Sequence, residues 1–321
     1  MPEFTKSDYE NVEGEFHDGL GTFAEIRLAN AVITQAGLSQ TLFDEAPSRL
    51  KMLAAIDRLP NDHRMKAELA VEITRIEAAA AQAATILLEQ ARAPLTRVRH
   101  TAQEYAGGNA ADIVFEFADR PNEPISVKTD KSNKIAVADG QTPLIFEKWA
   151  ARFFQLTESE RDQILAALGA TSIEALKANY LEVAAFVQAV ILLKLRVQGD
   201  RPGDLRDARP TDLDAVKHLL KQLLAYTHGK DASRVVILSR STGEVTWETV
   251  LDTVDVDTLT LDRVSFRPSV AKPGYAQSSE YALKVDGQAV VTFQIKHRRG
   301  GSFTPEQRRR FTDITTRVMT K

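Results

Sequence analysis

"DIVFEFADRPNEPISVKT", Asp112 to Thr129, is the stretch on which the reading of the fold turns. Ile113, Phe115 and Phe117 alternate with Val114 and Glu116, the period of two that marks a strand with one face in a core. ADRPNEP, with two prolines and an asparagine, is a turn by composition. ISVKT resumes the alternation, Ile125 and Val127 pointing one way, Ser126 and Lys128 the other. The spacing predicts a β-hairpin. Its odd feature is a lysine inside a strand that runs on into DKSNK (130–134), a loop rich in cations and hydrogen-bond donors.

A hairpin turning near Arg120 sets Asp112 opposite Lys128, and cross-strand neighbours on one face lie ~5 Å apart. That pairing suits metal-dependent phosphodiester chemistry. Asp112 offers the hard oxygen that Mg²⁺ prefers. Lys128 can hold or deprotonate an attacking water and offset charge building on phosphorus. Thr129, Lys131, Ser132, Asn133 and Lys134 would then contact phosphates beside the reaction.

Outward from the hairpin, GTFAEIRLANAVITQ (21–35) spaces Phe23, Ile26, Ala29, Ala31 and Ile33 as an amphipathic helix with Glu25 and Arg27 off the stripe. An alanine-rich helix is expected from His63 to Arg92, ended by Pro94 and suited to a structural hairpin or a dimer contact. LTRVRHTAQ (95–103) reads as a short strand, broken by EYAGGN. Beyond the hairpin come a helix after Pro143, one after Thr157 with the TESE capping box, and a long apolar one from about Ser172 to Arg196. QGDRPGDLRDARP (198–210) has linker composition, so residues 1–199 are expected to form a catalytic core and 200–321 a C-terminal region packed on it. There TDLDAVKHLLKQLLAYTHG reads as a helix, RVVILS and EVTWETV as strands, and YALKV-DG-QAVVTFQIK as a hairpin turning at Asp286-Gly287. TPEQ announces a C-terminal helix with Phe311, Ile314 and Val318 as its buried stripe.

With 321 residues, 43% hydrophobic and 26% charged, the chain can bury a sizeable core as one large domain or two smaller ones. It has no cysteine, which excludes disulfides and Cys-ligated zinc or iron–sulfur sites and fits a reducing cytoplasm. The N-terminal residues are too acidic for a secretory signal and no apolar run reaches the ~18 residues of a membrane span, so a cytoplasmic protein is expected. The net charge of -3 is segregated: after Gln294 the cations Lys296, Arg298, Arg299, Arg308, Arg309, Arg310, Arg317 and Lys321 face only Glu306 and Asp313. Such a tail is either a solvated charged helix or a phosphate-binding surface. The six histidines have no metal-site spacing, and no GxxxxGK[ST], GxGxxG or GxSxG occurs, which argues against ATP-driven, dinucleotide and serine-hydrolase chemistry.

At GNAADIVFEF, ISVKTDKSNK and FQIKHRRG the chain resembles the PD-(D/E)xK nuclease superfamily, and more narrowly a type II restriction endonuclease. The likeness covers the hairpin and the Glu25 helix, about a third of the chain. It implies an α/β fold with a mixed central sheet flanked by helices, here with large helical insertions and a C-terminal β-hairpin region. It implies Mg²⁺-dependent cleavage of double-stranded DNA leaving 5′-phosphate ends, a homodimer, and a cognate DNA methyltransferase in the same cell. Asp112 and Lys128 take the motif's catalytic places, and the carbonyl of Val127 joins Asp112 as an expected metal ligand. Two departures stand out: Ala111 replaces the motif proline, and Ser126 stands where the second acid belongs. A strand puts Glu116 ~13 Å from Asp112, too far to share an ion. The missing carboxylate is therefore sought in Glu147, Asp139 or Glu25, the last because this superfamily often takes a glutamate from its first core helix, and the sequence alone does not rank the three.

Asp286 and Gln294-Ile-Lys296 mimic a glutamine variant of the motif, but Gln294 would pair near Ser279, ~25 Å along the strand from Asp286. Gln294, Lys296, Arg298 and Arg299 are read instead as DNA contacts, with Gln and Arg able to read adenine and guanine edges. His228 is a further phosphate candidate. The alternatives are a repair or junction nuclease of the same fold, a nuclease-derived DNA-binding protein that does not cut, and a helical scaffold. The recognition sequence is not legible; a four-base GGCC-like site is a guess.

Overall fold

The computed structural model describes residues 4–91, 93–101, 111–130, 134–136, 146–197, 208–227, 234–268, 280–297 and 304–320. The chain divides into two compact units, residues 1–135 with 228–248 and 320–321, and residues 136–227 with 249–319. The architecture is mixed α/β. No helix among the described residues is long and apolar enough to cross a membrane.

The first unit opens with α1 (Lys6–Gln35), longer than the 21–35 helix expected. Glycines at 14, 19 and 21 mask the signal, yet Thr5 and Asp8 form a capping box and Val12, Phe16 and Leu20 carry the buried stripe back to the N-terminus. After α2 (Ala46–Asp57) comes the alanine-rich α3 (Arg64–Ala91). Its Ile73, Ile76, Ala80, Ala83, Ala84 and Leu87 are buried in the same core as α1, which makes it a core helix.

These helices cover one face of a mixed sheet of order β1-β2-β3-β5-β6, comprising β1 (Leu95–His100), β2 (Ile113–Phe117), β3 (Glu123–Asp130), β5 (Arg234–Ser239) and β6 (Val245–Thr246). Val98, Ile113, Phe115, Phe117, Ile125, Val127, Val236 and Leu238 supply the sheet's side of that core. β5 runs parallel to β3 and is buried on both faces, which is why RVVILS reads as an unbroken apolar run. EVTWETV yields only the two residues of β6 as strand.

The hairpin forms with a register two residues from that expected: Ile113 pairs with Ile125 and Phe115 with Glu123. Asp112 therefore falls beside Ser126 rather than opposite Lys128. An even shift leaves every side chain on its expected face.

The second unit centres on a sheet of order β10-β9-β8-β7, with β7 (Val264–Pro268), β8 (Glu280–Val285), β9 (Gln288–His297) and β10 (Phe311–Met319); the short β4 (Lys134–Ala136) follows β3 in the chain. β7 to β10 are antiparallel. Asp286 (φ 51°) and Gly287 (φ 76°) make the β8–β9 turn, whose two positive φ values match a type I′ connection. A bulge at Leu283/Lys284 shifts the ladder by one, so Gln294 pairs with Glu280 instead of Ser279.

The C-terminal helix is corrected: TPEQ does cap a helix, but only α9 (Pro305–Arg309), and Phe311 to Met319 is the strand β10. Five β-branched residues in FTDITTRVM favour extended backbone, and the sheet's edge supplies ladder partners that a lone helix stripe lacks. The long apolar helix is likewise two, α6 (Ile173–Leu176) and α7 (Tyr180–Lys194), because Asn179 caps the second. Helices α4 (Phe146–Phe154), α5 (Glu158–Ala167) and α8 (Leu213–Thr227) complete this unit. Trp149 on α4 packs on Phe154 and Phe293 and donates to Thr316 Oγ1 at 3.3 Å. Most of the expected linker, residues 198–207, lies outside the described residues.

Candidate functional site

β2 begins at Ile113, and Asp112 occupies the position just before it, where its amide donates to Ile125 O at 2.9 Å. Three groups of β3 meet one carboxylate oxygen, Asp112 Oδ2. Val127 N donates to it at 2.6 Å, Ser126 Oγ donates at 3.1 Å, and Lys128 Nζ stands 3.6 Å away. Ser126 is buried, whereas the Lys128 and Asp112 side chains keep 31% and 23% of their surface exposed. The centre is thus fixed from below by the strand and open to a solute.

The backbone adds an acceptor. In an extended strand a residue's N–H and C=O project towards the same edge. Val127 N–H is directed at Asp112, so its carbonyl faces that side too, beyond the last paired residues of β2.

Glu25, on α1, is the third member. Burial pushes its carboxyl above the ordinary range and the negative charge of Asp112 adds to the rise, while the His100 hydrogen bond and the positive Lys128 oppose it. Glu25 therefore shares the electrostatic field of Asp112 and Lys128. His100 Nε2 lies 3.0 Å from Glu25 Oε2; the imidazole is fully buried, and the carboxylate side chain keeps 20% exposure.

Sequence reasoning missed His100, which has no partner at metal-site spacing. The one available signal was its place in LTRVRH, where alternation puts it on the inward face with Val98. Glu116, on the open face of the sheet, is taken by Arg99 at 2.8 Å.

Glu147 lies on α4 with its side chain outside the described residues, as is that of Lys134 at the start of β4. Lys131, Ser132, Asn133, Asp139, His228, Arg298 and Arg299 also lie outside them. In the second unit, Gln294 and Lys296 sit two apart on β9, half-buried on the face opposite Phe293 and Ile295, paired with Thr315 and Asp313 of β10. Arg308, Arg309 and Arg310 are exposed.

Among the described residues no group of three or more His, Asp or Glu side chains could hold a metal ion. The donor set here is smaller and of one kind: two carboxylates, Asp112 and Glu25, and the Val127 carbonyl. All are hard oxygen ligands of the type Mg²⁺ accepts, commonly keeping several waters of its own. In chemical type these donors suit such an ion.

No protein-family model, curated protein or solved structure matches the chain.

Proposed function

We propose that the protein is a Mg²⁺-dependent, sequence-specific double-stranded DNA endonuclease of the type II restriction class, with the fold of the PD-(D/E)xK nucleases. The reading is supported above all by the meeting of Lys128 and Asp112 at 3.6 Å from adjacent segments of a mixed sheet. A helix-borne glutamate in the same field compensates for Ser126.

Asp112, Glu25 and the Val127 carbonyl would hold the ion. When bound, it would polarise the phosphate and lower the barrier to forming hydroxide from water. The chain's own residues do the rest. The Val127 amide and the Ser126 hydroxyl fix the Asp112 carboxylate through Oδ2. Lys128 orients the attacking water and offsets charge that develops on the phosphate oxygens as phosphorus is attacked in line. The burial of Ser126 keeps solvent from the floor of the site. The products carry 5′-phosphate and 3′-hydroxyl ends.

Gln294 and Lys296, with the exposed Arg308 to Arg310, are offered to DNA, the lysine to phosphate and the glutamine to base edges. Symmetric cutting of both strands calls for a homodimer. A host using such an enzyme protects its own DNA with a methyltransferase.

The test is incubation of the pure protein with plasmid and Mg²⁺. Discrete fragments support a restriction enzyme. Cleavage confined to branched or damaged DNA would replace it with a repair or junction nuclease, and Mg²⁺-independent binding without products, the outcome Ser126 makes worth checking, would replace it with a non-cutting DNA-binding protein.

A further inference from the structure

Glu25 does not stand alone, and the group that touches it has no part in the proposed chemistry. His100 is fully buried at the end of β1, with Nε2 3.0 Å from Glu25 Oε2. The other ring nitrogen, Nδ1, is buried too and meets no hydrogen-bonding partner among the described residues. This decides the tautomer. A proton on Nδ1 would be a buried donor with nothing to bond, the more costly alternative, whereas a bare Nδ1 lone pair costs less. The proton therefore sits on Nε2, and Nε2–H donates to a carboxylate oxygen of Glu25.

The ring is also held. Phe43 packs on it at a centroid distance of 5.8 Å. The loop carrying Phe43 is pinned by two side-chain amides acting as two-way clamps. Asn30 donates to Phe43 O at 3.0 Å and accepts from Phe43 N at 2.8 Å; Gln40 donates to Val98 O at 2.6 Å and accepts from Val98 N at 3.0 Å. A fully buried imidazole, packed and fixed in tautomer, presents one donor in one direction.

The geometry points to His100 as the positioning residue for Glu25: its Nε2–H occupies Oε2 and turns the remaining oxygen towards Asp112 and Lys128, so that the glutamate can serve as the carboxylate that Ser126 does not supply. The inference rests on the nuclease reading above. Hydrogen-bonded partners of metal-ligating groups set ligand orientation, and losing one typically costs about 10- to 100-fold in metal affinity.

The experiment measures Mn²⁺ affinity by calorimetry on the full-length protein without DNA, for wild type, His100→Leu, His100→Gln and Asp112→Ala, with thermal melting of each. Leucine fills the space without a donor; glutamine keeps an N–H near the position of Nε2. The expected result is about 10- to 100-fold weaker binding for His100→Leu, with His100→Gln within about threefold of wild type. Wild-type affinity in a folded His100→Leu, or a loss in a folded His100→Gln as deep as that caused by leucine, would overturn the role of His100 while leaving the site intact. Should His100→Leu fail to fold, the folded glutamine variant alone decides. Wild-type protein that binds no Mn²⁺, or binds it equally after Asp112→Ala, would overturn the nuclease reading and this inference with it.

Discussion

Ser126 Oγ stands 3.1 Å from Asp112 Oδ2 and donates a hydrogen bond to it. In the proposed nuclease it would help aim Asp112 and leave ligation to another group. Ser126→Ala should therefore cost about 1 kcal/mol in urea unfolding and slow cleavage by no more than about tenfold. Asp112→Asn should abolish cleavage. A Ser126→Ala enzyme as dead as Asp112→Asn would mean that the hydroxyl takes part directly.

Glu25 gives a pH signature. Its carboxyl is held above the usual range, chiefly by burial. The folded state then binds the proton more tightly than the unfolded state does. That contribution to stability is fully present below the unfolded value of about 4.3 and lost as pH rises through the folded one. Without divalent ions, Glu25→Gln, which removes the charge and still accepts from His100, should melt higher than wild type at neutral pH. The gap should close as pH falls towards 4. A gap that widens on acidification would contradict the burial argument.

Where β3 and β5 finish, two residues beyond Lys128, Arg240 Nη1 reaches the buried Glu72 at 3.4 Å, and the Arg240 amide donates to Asp130 O at 2.7 Å. Burial lowers the Arg240 pKa, opposed by the negative charges of Glu72, Asp130 and Glu13. Arg240→Met removes one cationic partner of Glu72, whose carboxylate also lies 3.7 Å from His17 Nε2, and should cost about 1–3 kcal/mol in denaturant unfolding. A loss within about 0.5 kcal/mol, the usual range for surface changes, would show that the other partners of Glu72 satisfy its charge without Arg240.

Lys296 on β9 should act through phosphate. Lys296→Ala should weaken binding to specific and unrelated duplexes alike and reduce the slope of log affinity against log salt by about 1. Gln294→Ala should instead weaken only the specific duplex. Unchanged salt dependence in Lys296→Ala would take Lys296 out of the interface.

The hairpin was legible because its alternation, its prolines and its asparagine all point to the same structure. The register was not: turn composition locates a bend without counting the residues in it, and Asp112 moved two places, from Lys128 to Ser126. FTDITTRVM misled for a related reason. Phe311, Ile314 and Val318 satisfy a helical stripe, and only the open edge of β9 decides for strand, a partner that no local window contains. His100 lay further out of reach, since its contact with Glu25 joins residues 75 apart in sequence. Lys128 fell on the open face with Ser126 because the alternation of ISVKT fixes its face whatever the register.

The most direct measurement is the rate at which purified Lys128→Ala cuts plasmid in Mg²⁺ beside wild type, with DNA binding and melting temperature followed on the same samples. The expected result is discrete wild-type fragments, a loss of about a thousandfold or more in the variant, and unchanged folding and binding. Equal cutting by the two proteins would contradict a catalytic Lys128, and with it the convergence of Lys128 and Asp112 on a scissile phosphate.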